Sequence, residues 1–305
     1  MAFRYDEIGQ RLKAFRLGSG LSADEVARSI GISRTALYRF EKGELAKIET
    51  IERLAELLDV SIPTLLGVGI EYISSAVSYF ERMRQIEQTA EHIIVLAGPI
   101  SFLLASDRFE SILEEMLKES IATDLPNRDR ALADVQKILE ILHERKETYR
   151  KRKPAIVNLM SALEIERLLR NGFTGKALVP EEEYQRRRAL ARAEVEYFAK
   201  LVAEDPIGVQ IGLVTDTLPH MGFQIFRQPD RKILSISPFR LGEHPNVRVG
   251  VAMITSAPEA LALHEKSVNE MWGSALKGSA ASAYLRDLLA AVDPPAKNVR
   301  RLGAG

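Results

Sequence analysis

Apolar residues near the start of the chain recur with helical spacing in short stretches that glycine, serine or proline separates. The spacing of Ile8, Leu12 and Phe15 predicts a first helix over about Tyr5–Leu17. Similar spacing predicts a fourth helix over Ile48–Leu58 and a short fifth helix directly after it. The pattern therefore indicates a small all-α domain at this end of the chain.

The second and third predicted helices each begin with a serine N-cap. Ser22 is followed three residues later by Glu25, the spacing of a capping box, in which each side chain binds the other residue's backbone N–H. The third helix is predicted over Ser33–Lys42, with Ser33 as its cap. Gly31 lies between the two helices and can adopt the positive φ that a tight turn needs. A glycine-centred turn between two short capped helices is a helix-turn-helix arrangement.

The stretch Ile8–Leu66 resembles the helix-turn-helix domain of the XRE family, which includes the lambdoid phage repressors and Cro. The resemblance rests on the helix spacing, the two serine caps, the turn glycine and the Glu-Lys-Gly that closes the third helix. It implies a five-helix domain over residues 1–68 and a buried ion pair between Arg16 and Glu41. One departure is Ala23, where many members of the family carry a glutamine.

The resemblance also implies that the third helix enters the major groove of DNA. The residues predicted to contact bases are Arg34, Thr35, Tyr38 and Arg39. The residues predicted to contact phosphates are Ser22, Arg28, Ser33, Lys42 and Lys47. One such domain buries too little surface for tight specific binding, so we expect a homodimer on a pseudo-palindromic operator in double-stranded DNA.

Further along the chain, apolar strands alternate with amphipathic helices. This alternation predicts an α/β domain with a mixed sheet over residues 92–292. Residues 69–91 are predicted to connect the two domains through a helix, Ile70–Thr89, which forms either a coiled-coil seam between two copies or a contact with its own domain. The last predicted helix is Pro258–Leu276, and residues 293–305 are predicted to be a disordered tail.

The order of these elements resembles that of the phospholipase-D-like sensor domains of some transcription regulators. Enzymes of that type need the motif His-x-Lys-x-x-x-x-Asp, usually twice. This chain has His264 and Lys266 once, with Met271 where the aspartate should be. It also has no cysteine, no metal-ligand spacing and no glycine-rich phosphate loop. We therefore expect a non-catalytic domain without a metal or a cofactor.

A ligand-sensing role is the leading hypothesis for this domain, because binding residues concentrate in loops at strand ends. His220, Phe239 and Arg240 lie at such positions, where Arg240 can hold an anion and Phe239 can form an apolar wall. Ordinary solvated turns are the alternative. The leading interpretation is a dimeric transcription regulator that a small ligand modulates. In the alternative, the second domain only dimerises or docks a protein partner, without a ligand.

Composition adds two points. The chain has 46% hydrophobic and 28% charged residues and neither a signal peptide nor a membrane span, which predicts a cytoplasmic protein with no membrane partner. The net charge is zero, and the first 67 residues hold ten Lys and Arg against ten Asp and Glu, so charge alone does not indicate nucleic acid. The DNA prediction depends on placement, with acids expected on the fourth helix (Glu49, Glu52, Glu56) and bases on the groove face.

Overall fold

The computed structural model of the protein describes residues 4–44, 46–96, 98–176, 178–216 and 221–292. Five helices come first, and an α/β body built on one eight-stranded sheet follows. No helix within these ranges is long and apolar enough to cross a membrane. The disordered tail predicted over residues 293–305 lies outside the described residues, as does His220.

The N-terminal domain is all-α, as predicted. Its helices are α1 (Tyr5–Ser19), α2 (Ala23–Ile30), α3 (Arg34–Glu41), α4 (Ile48–Leu57) and α5 (Ile62–Leu66). Helices α2 and α3 have eight residues each, too few to be stable alone in water. Their stability comes from a shared core in which Leu12, Val26, Leu37 and Leu54 are almost fully buried. Each such side chain stabilises the fold by about 1.5–3 kcal/mol.

The body has a mixed sheet, as predicted. Its strands are β1 (Ile70–Ile73), β2 (His92–Leu96), β3 (Ala155–Ser161), β4 (Val209–Val214), β5 (Phe223–Arg227), β6 (Lys232–Ile236), β7 (Ala252–Thr255) and β8 (Leu276–Lys277). They lie in the order β1-β7-β6-β5-β2-β3-β4-β8. The pairs β2–β3 and β3–β4 are parallel, and the other pairs are antiparallel.

Helices cover both faces of this sheet. They are α6 (Ala76–Glu87), α7 (Arg108–Glu119), α8 (Arg128–Arg152), α9 (Ala162–Asn171), α10 (Glu181–Glu204), α11 (Pro258–Ser274) and α12 (Gly278–Ala291). Because side chains alternate along a strand, Ile93 and Ile156 join a large core that includes α6 and α8, whereas Leu159 and Leu234 face α11. The sheet is therefore buried on both faces near its middle.

One prediction of secondary structure is wrong, and one helix was not predicted. The helix predicted over Ile70–Thr89 begins instead with strand β1, in which Glu71 and Ile73 are buried and their neighbours are exposed. Its second half is α6, which packs against α1 and α8 of the same chain rather than forming an exposed seam. Helix α12 was missed, although Ala281, Leu285 and Leu289 mark its buried face at four-residue spacing. The phospholipase-D-like topology is not confirmed.

The N-terminal domain is fastened to the body where α1 meets α6, a contact we call the α1–α6 junction. Arg11 donates from Nε to Glu71 Oε1 at 2.5 Å, and Arg82 donates from Nε to Glu71 Oε2 at 3.0 Å. All three side chains are buried. Burial by itself would raise the pKa of Glu71, but the charges of Arg82 and Arg11 outweigh burial and hold that pKa below its usual value.

Two side chains of α6 also bind the backbone of α1 at this junction. Ser78 Oγ donates to the carbonyl of Ala14 at 3.0 Å, and Gln85 Nε2 donates to that of Gln10 at 3.0 Å. Gly18 lies in the same contact, where an added Cβ would come within 1.9 Å of Ser78 Oγ. The two helices are therefore held in one relative position by close packing as well as by charge.

Candidate nucleic-acid interface

The turn between α2 and α3 is shaped by two caps and one glycine. Ser22 Oγ accepts from the Glu25 backbone N at 3.2 Å, and Glu25 accepts from the Ser22 backbone N at 2.8 Å, which completes the predicted capping box. Ser33 Oγ accepts from the Ala36 backbone N at 3.1 Å. Gly31 has a φ of 72°, a left-handed value that other residues rarely adopt.

Helix α3 is anchored to α1 from behind. Arg16 donates from Nε to Glu41 Oε1 at 2.5 Å and from Nη2 to Oε2 at 3.1 Å, and both side chains are about nine-tenths buried. This is the pair that the XRE resemblance implied. Leu37 is fully buried beside it. Gly9 permits the approach, because an added Cβ would come within 2.5 Å of the Phe40 carbonyl oxygen. Sequence reasoning gave Gly9 no role.

The residues predicted to contact bases share the outer side of α3. Arg34, Thr35, Tyr38 and Arg39 are all exposed. Their positions along the helix place them on one face, opposite the buried Leu37. The buried anchor therefore sets the direction in which these four side chains project.

The residues predicted to contact phosphates are also exposed, namely Ser22, Arg28, Ser33, Lys42 and Lys47. Two of them, Ser22 and Ser33, use their oxygens as acceptors in the helix caps. Each keeps a hydroxyl proton that can be donated to a phosphate oxygen. Their contacts with DNA remain a prediction.

The groove face is less basic than the sequence suggested. Arg34 Nη1 lies 3.1 Å from Asp24 Oδ2, and Arg39 Nε lies 2.6 Å from Glu44 Oε2. We call these the α3 arginine pairs. The hydrogen bond from Arg39 lowers the pKa of Glu44, and Glu44 in turn raises the pKa of Arg39. The expectation that the acids gather on α4, away from a basic face, is therefore wrong for these two carboxylates.

Tyr38 takes part in the first of these pairs. Its hydroxyl oxygen accepts a hydrogen bond from Arg34 Nη2 at 3.1 Å, and the Arg34 guanidinium carbon lies 5.3 Å from the ring centroid. The hydrogen bond to Tyr38, followed by the charge of Asp24, raises the pKa of Arg34. Both arginines therefore remain charged and are held in place by neighbours before any partner binds.

Two of the three residues predicted to bind a ligand line a single cavity in the body. Phe239 and Arg240 follow β6, and the cavity, of about 120 Å³, lies between them, α6 and the loop after β2. Phe239 is buried and Arg240 is exposed. The third residue, His220, lies outside the described residues, so its position relative to this cavity remains a prediction.

His264, the histidine weighed as a nucleophile, lies on α11 in a structural setting. Its Nδ1 is 2.8 Å from the carbonyl oxygen of Ala260, and its ring packs edge-on against Phe223 at 4.9 Å between centroids. Lys266 is exposed and 3.9 Å from Glu270. Within the described part of the chain, no group of three or more His, Asp or Glu is placed to hold a metal ion.

Comparison with known proteins identifies the N-terminal helical domain. Residues 7–66 match a family described as a helix-turn-helix domain. The chain is 36% identical over 62 residues to the HTH-type transcriptional regulator SinR of Bacillus licheniformis, which covers 20% of this chain and 56% of that protein. SinR of Bacillus subtilis is 36% identical over 61 residues, covering 19% and 55%. The chain thus spans just over half the length of these relatives.

A solved structure is also similar over a longer stretch. It is that of TrmBL2, described as an archaeal chromatin protein with a novel mode of DNA binding. The similarity covers 75% of this chain and 61% of that one, at 13% identity and a TM-score of 0.32, which is too low to establish a common fold. The match to the helix-turn-helix family and to SinR shows that the N-terminal region is an XRE-like helix-turn-helix domain.

Proposed function

We propose that the protein is a sequence-specific DNA-binding regulator of transcription that places α3 in the major groove. The observation that carries the proposal is the geometry of α3, which turns Arg34, Thr35, Tyr38 and Arg39 outward while the pair formed by Arg16 and its partner holds the helix from behind. A rigid helix with its polar face exposed is what direct readout of base edges requires. A cytoplasmic location is part of this proposal.

The α3 arginine pairs give this interface an exchange mechanism. In the free protein, Arg39 donates to Glu44. A guanine offers the same guanidinium two acceptors, O6 and N7, in a bidentate geometry. The exposed pair with the carboxylate contributes little free energy in water, so it can be replaced. Correct sequences would therefore displace the carboxylate, whereas incorrect sequences would leave the intramolecular pair in place.

We further propose that the protein works as a homodimer on a pseudo-palindromic operator and that a small ligand in the body modulates it. The partly open cavity beside Phe239 and Arg240 supports the ligand. No catalytic step, metal or cofactor is part of this proposal. Met271 stands where the phosphodiesterase motif needs an aspartate, and His264 lies against the carbonyl oxygen of Ala260 on its own helix.

An alternative role for the body is dimerisation or protein docking without a ligand. One observation favours it. Strand β1 lies at an edge of the sheet and exposes Ile70 and Tyr72 to solvent. An exposed apolar edge strand is a ready surface for pairing with another chain.

The test of DNA binding is selection of bound genomic fragments by the purified full-length chain, followed by fluorescence anisotropy on the recovered site. We expect a recovered site with two-fold symmetry and an affinity at least about a thousandfold above that for random duplex. If the protein shows no preference for any duplex over bulk competitor DNA at moderate ionic strength, the proposal is wrong.

A further inference from the structure

We infer that the cavity beside Phe239 binds a small planar aromatic carboxylate that also carries an N–H or O–H donor. This inference rests on the proposed function, because it gives the proposed effector a site and a chemical class. Three features of the cavity specify that class: its aromatic walls, an acceptor inside it and a cation at its edge, the last two without a partner among the described residues.

The walls select for a flat ring. Aromatic residues that line the cavity on the α6 side of the sheet are Tyr79, Phe80, Phe102 and Phe239. The rings of Tyr79 and Phe239 lie 5.6 Å apart and are tilted at 44°, so they do not close on each other face to face. Aromatic rings attract one another in such tilted and edge-on arrangements. A cavity of about 120 Å³ is close in size to one that takes a single benzene ring.

The acceptor lies on the sheet that forms the floor. Register across the strands places Ser235, Gln224, Val95 and Asn158 in one row on the face beneath α6. Ser235 is paired with the hydroxyl of Tyr79 at 3.1 Å. Gln224, which lines the cavity, has a buried Oε1 with no hydrogen-bond partner among the described residues. Buried polar atoms are nearly always bonded, so a ligand donor is the expected partner.

Asn158 continues this row beyond the residues that line the cavity. It is fully buried one strand beyond Val95, and neither its Oδ1 nor its Nδ2 has a hydrogen-bond partner among the described residues. Two buried amides with open hydrogen-bonding atoms thus flank the single apolar residue Val95 in the row. A purely hydrocarbon ligand would leave the open acceptor of Gln224 unsatisfied, which is why the class includes an N–H or O–H donor.

The cation is Arg240. Three guanidinium groups line the cavity, and two of them are neutralised within the protein. Arg145 donates from Nη2 to Glu87 at 2.7 Å, and Arg167 donates from Nε to Glu243 at 2.8 Å. No carboxylate in the described part of the chain lies within salt-bridge distance of Arg240. A carboxylate on the ligand would supply the missing charge in the bidentate form that arginine prefers.

The cavity also has a route to the DNA-binding domain. Tyr79 lies on α6 between two residues of the α1–α6 junction. Ser78, directly before it, binds the backbone of Ala14 on α1, and Arg82, three residues after it, binds Glu71. A ligand that packs on Tyr79 therefore contacts the same helix turn that positions α1. Any shift of α6 on binding would change the position of the recognition helix relative to that of a second copy.

The binding test uses five probes: the three aminobenzoate isomers, benzoate and aniline. Titration calorimetry on the full-length protein should give at least one aminobenzoate that binds about tenfold more tightly than benzoate or aniline. Arg240→Ala should remove the advantage over aniline, and Gln224→Leu should remove the advantage over benzoate. Arg248→Ala is the matched control, because Arg248 is exposed nearby and does not line the cavity, and it should bind like the wild type.

Saturable binding that Arg240→Ala leaves unchanged would overturn the inference, as would the lack of saturable binding by every probe. Arg240 is exposed, so its variant is expected to fold. The coupling test then adds the tightest isomer to the wild type on its recovered DNA site. We expect a change in DNA affinity of about fivefold or more, and none in Arg240→Ala.

These outcomes separate the two proposals. Tight DNA binding with no probe bound at the cavity would refute this inference and leave the proposed DNA function intact. Binding of a probe by a protein that recognises no DNA would refute the proposed function and leave the cavity assignment intact. Binding of a probe without any change in DNA affinity would refute the coupling through α6.

Discussion

Arginine–carboxylate pairs occur in two regions of this molecule, and the regions differ in how far water reaches them. At the α1–α6 junction, the side chains of Arg11, Glu71 and Arg82 are 7%, 6% and 2% exposed. In the α3 arginine pairs, Arg39 and its carboxylate partner are 61% and 48% exposed. Both regions pair a guanidinium with a carboxylate, so they differ only in burial. The buried pairs hold two elements in one position, whereas a new partner can replace the carboxylate of an exposed pair.

This contrast has a physical basis. A buried charge that loses its partner cannot regain the hydration that it lost on folding, so the pair stays closed. An exposed pair exchanges its partner for water at little cost. The molecule thus keeps its helix-turn-helix domain in a fixed position with buried charges and carries exposed pairs on α3, where we propose that DNA binds.

Removal of the central carboxylate of the junction should have the largest effect. Glu71→Ala leaves two buried guanidinium groups, those of Arg11 and Arg82, without their shared partner, and we expect a loss of about 3–5 kcal/mol in the free energy of unfolding. Urea denaturation of the full-length protein measures this loss of free energy. Glu56→Ala is the control, since Glu56 is an exposed acid on α4. Equal stability of the two variants would show that the junction is not held by charge.

The pH dependence of stability should follow the same carboxylate. The pKa of Glu71 is lowered in the folded protein from its usual value of 4.5, so its charged form favours the native state. That contribution is present above the unfolded pKa and is lost as the pH falls through the lower folded pKa. The wild type should therefore lose stability below about pH 4.5 more steeply than Glu71→Gln. Parallel curves from pH 6 downward would contradict the assignment.

On the groove side, effects should appear in binding rather than stability. Arg39→Ala should weaken binding to the recovered site about tenfold or more and change binding to random duplex far less, because it removes a base contact. Lys47→Ala should weaken binding to both duplexes alike. It should also reduce the slope of log affinity against log salt concentration by about one. The same loss on both duplexes for Arg39→Ala would refute its base-reading role.

The two regions were not equally predictable from the sequence. The five N-terminal helices follow from local signals, because the caps Ser22 and Ser33 and the turn glycine act within a few residues of themselves. The α1–α6 junction joins residues 60 apart in the chain, and Glu71 looked like a helix surface residue until its strand was known. Charge pairing across such separations leaves no periodic pattern to detect.

The same limit applies to the cavity. Phe239 and Arg240 were predicted because loops at strand ends carry binding residues. The open acceptor of Gln224 could not be predicted, since its row of neighbours depends on the register of four strands. Asp24 and Glu44 were missed as partners of the arginines because the prediction gathered the acids on α4 and considered the groove face separately.

Neutralising one of those missed carboxylates should give the smallest effect and the most direct test of exchange. In Glu44→Gln, Arg39 loses its charged intramolecular partner and the surface loses a negative charge that DNA phosphates would repel. Affinity for the recovered site and for random duplex should both rise, by about two- to fivefold at low salt, and the gain should shrink as salt rises. The melting temperature should not change, because an exposed ion pair contributes little to stability.

Glu56→Gln supplies the matched control for this change. It removes the same charge from an exposed position on α4, where no described residue forms an ion pair with the carboxylate. If general repulsion of phosphates were the whole cause, both variants would gain affinity equally. If Glu44 competes for Arg39, Glu44→Gln gains more, and its advantage over Glu56→Gln vanishes when Arg39 is replaced by alanine in both. An advantage that survives the loss of Arg39 would exclude exchange as the mechanism.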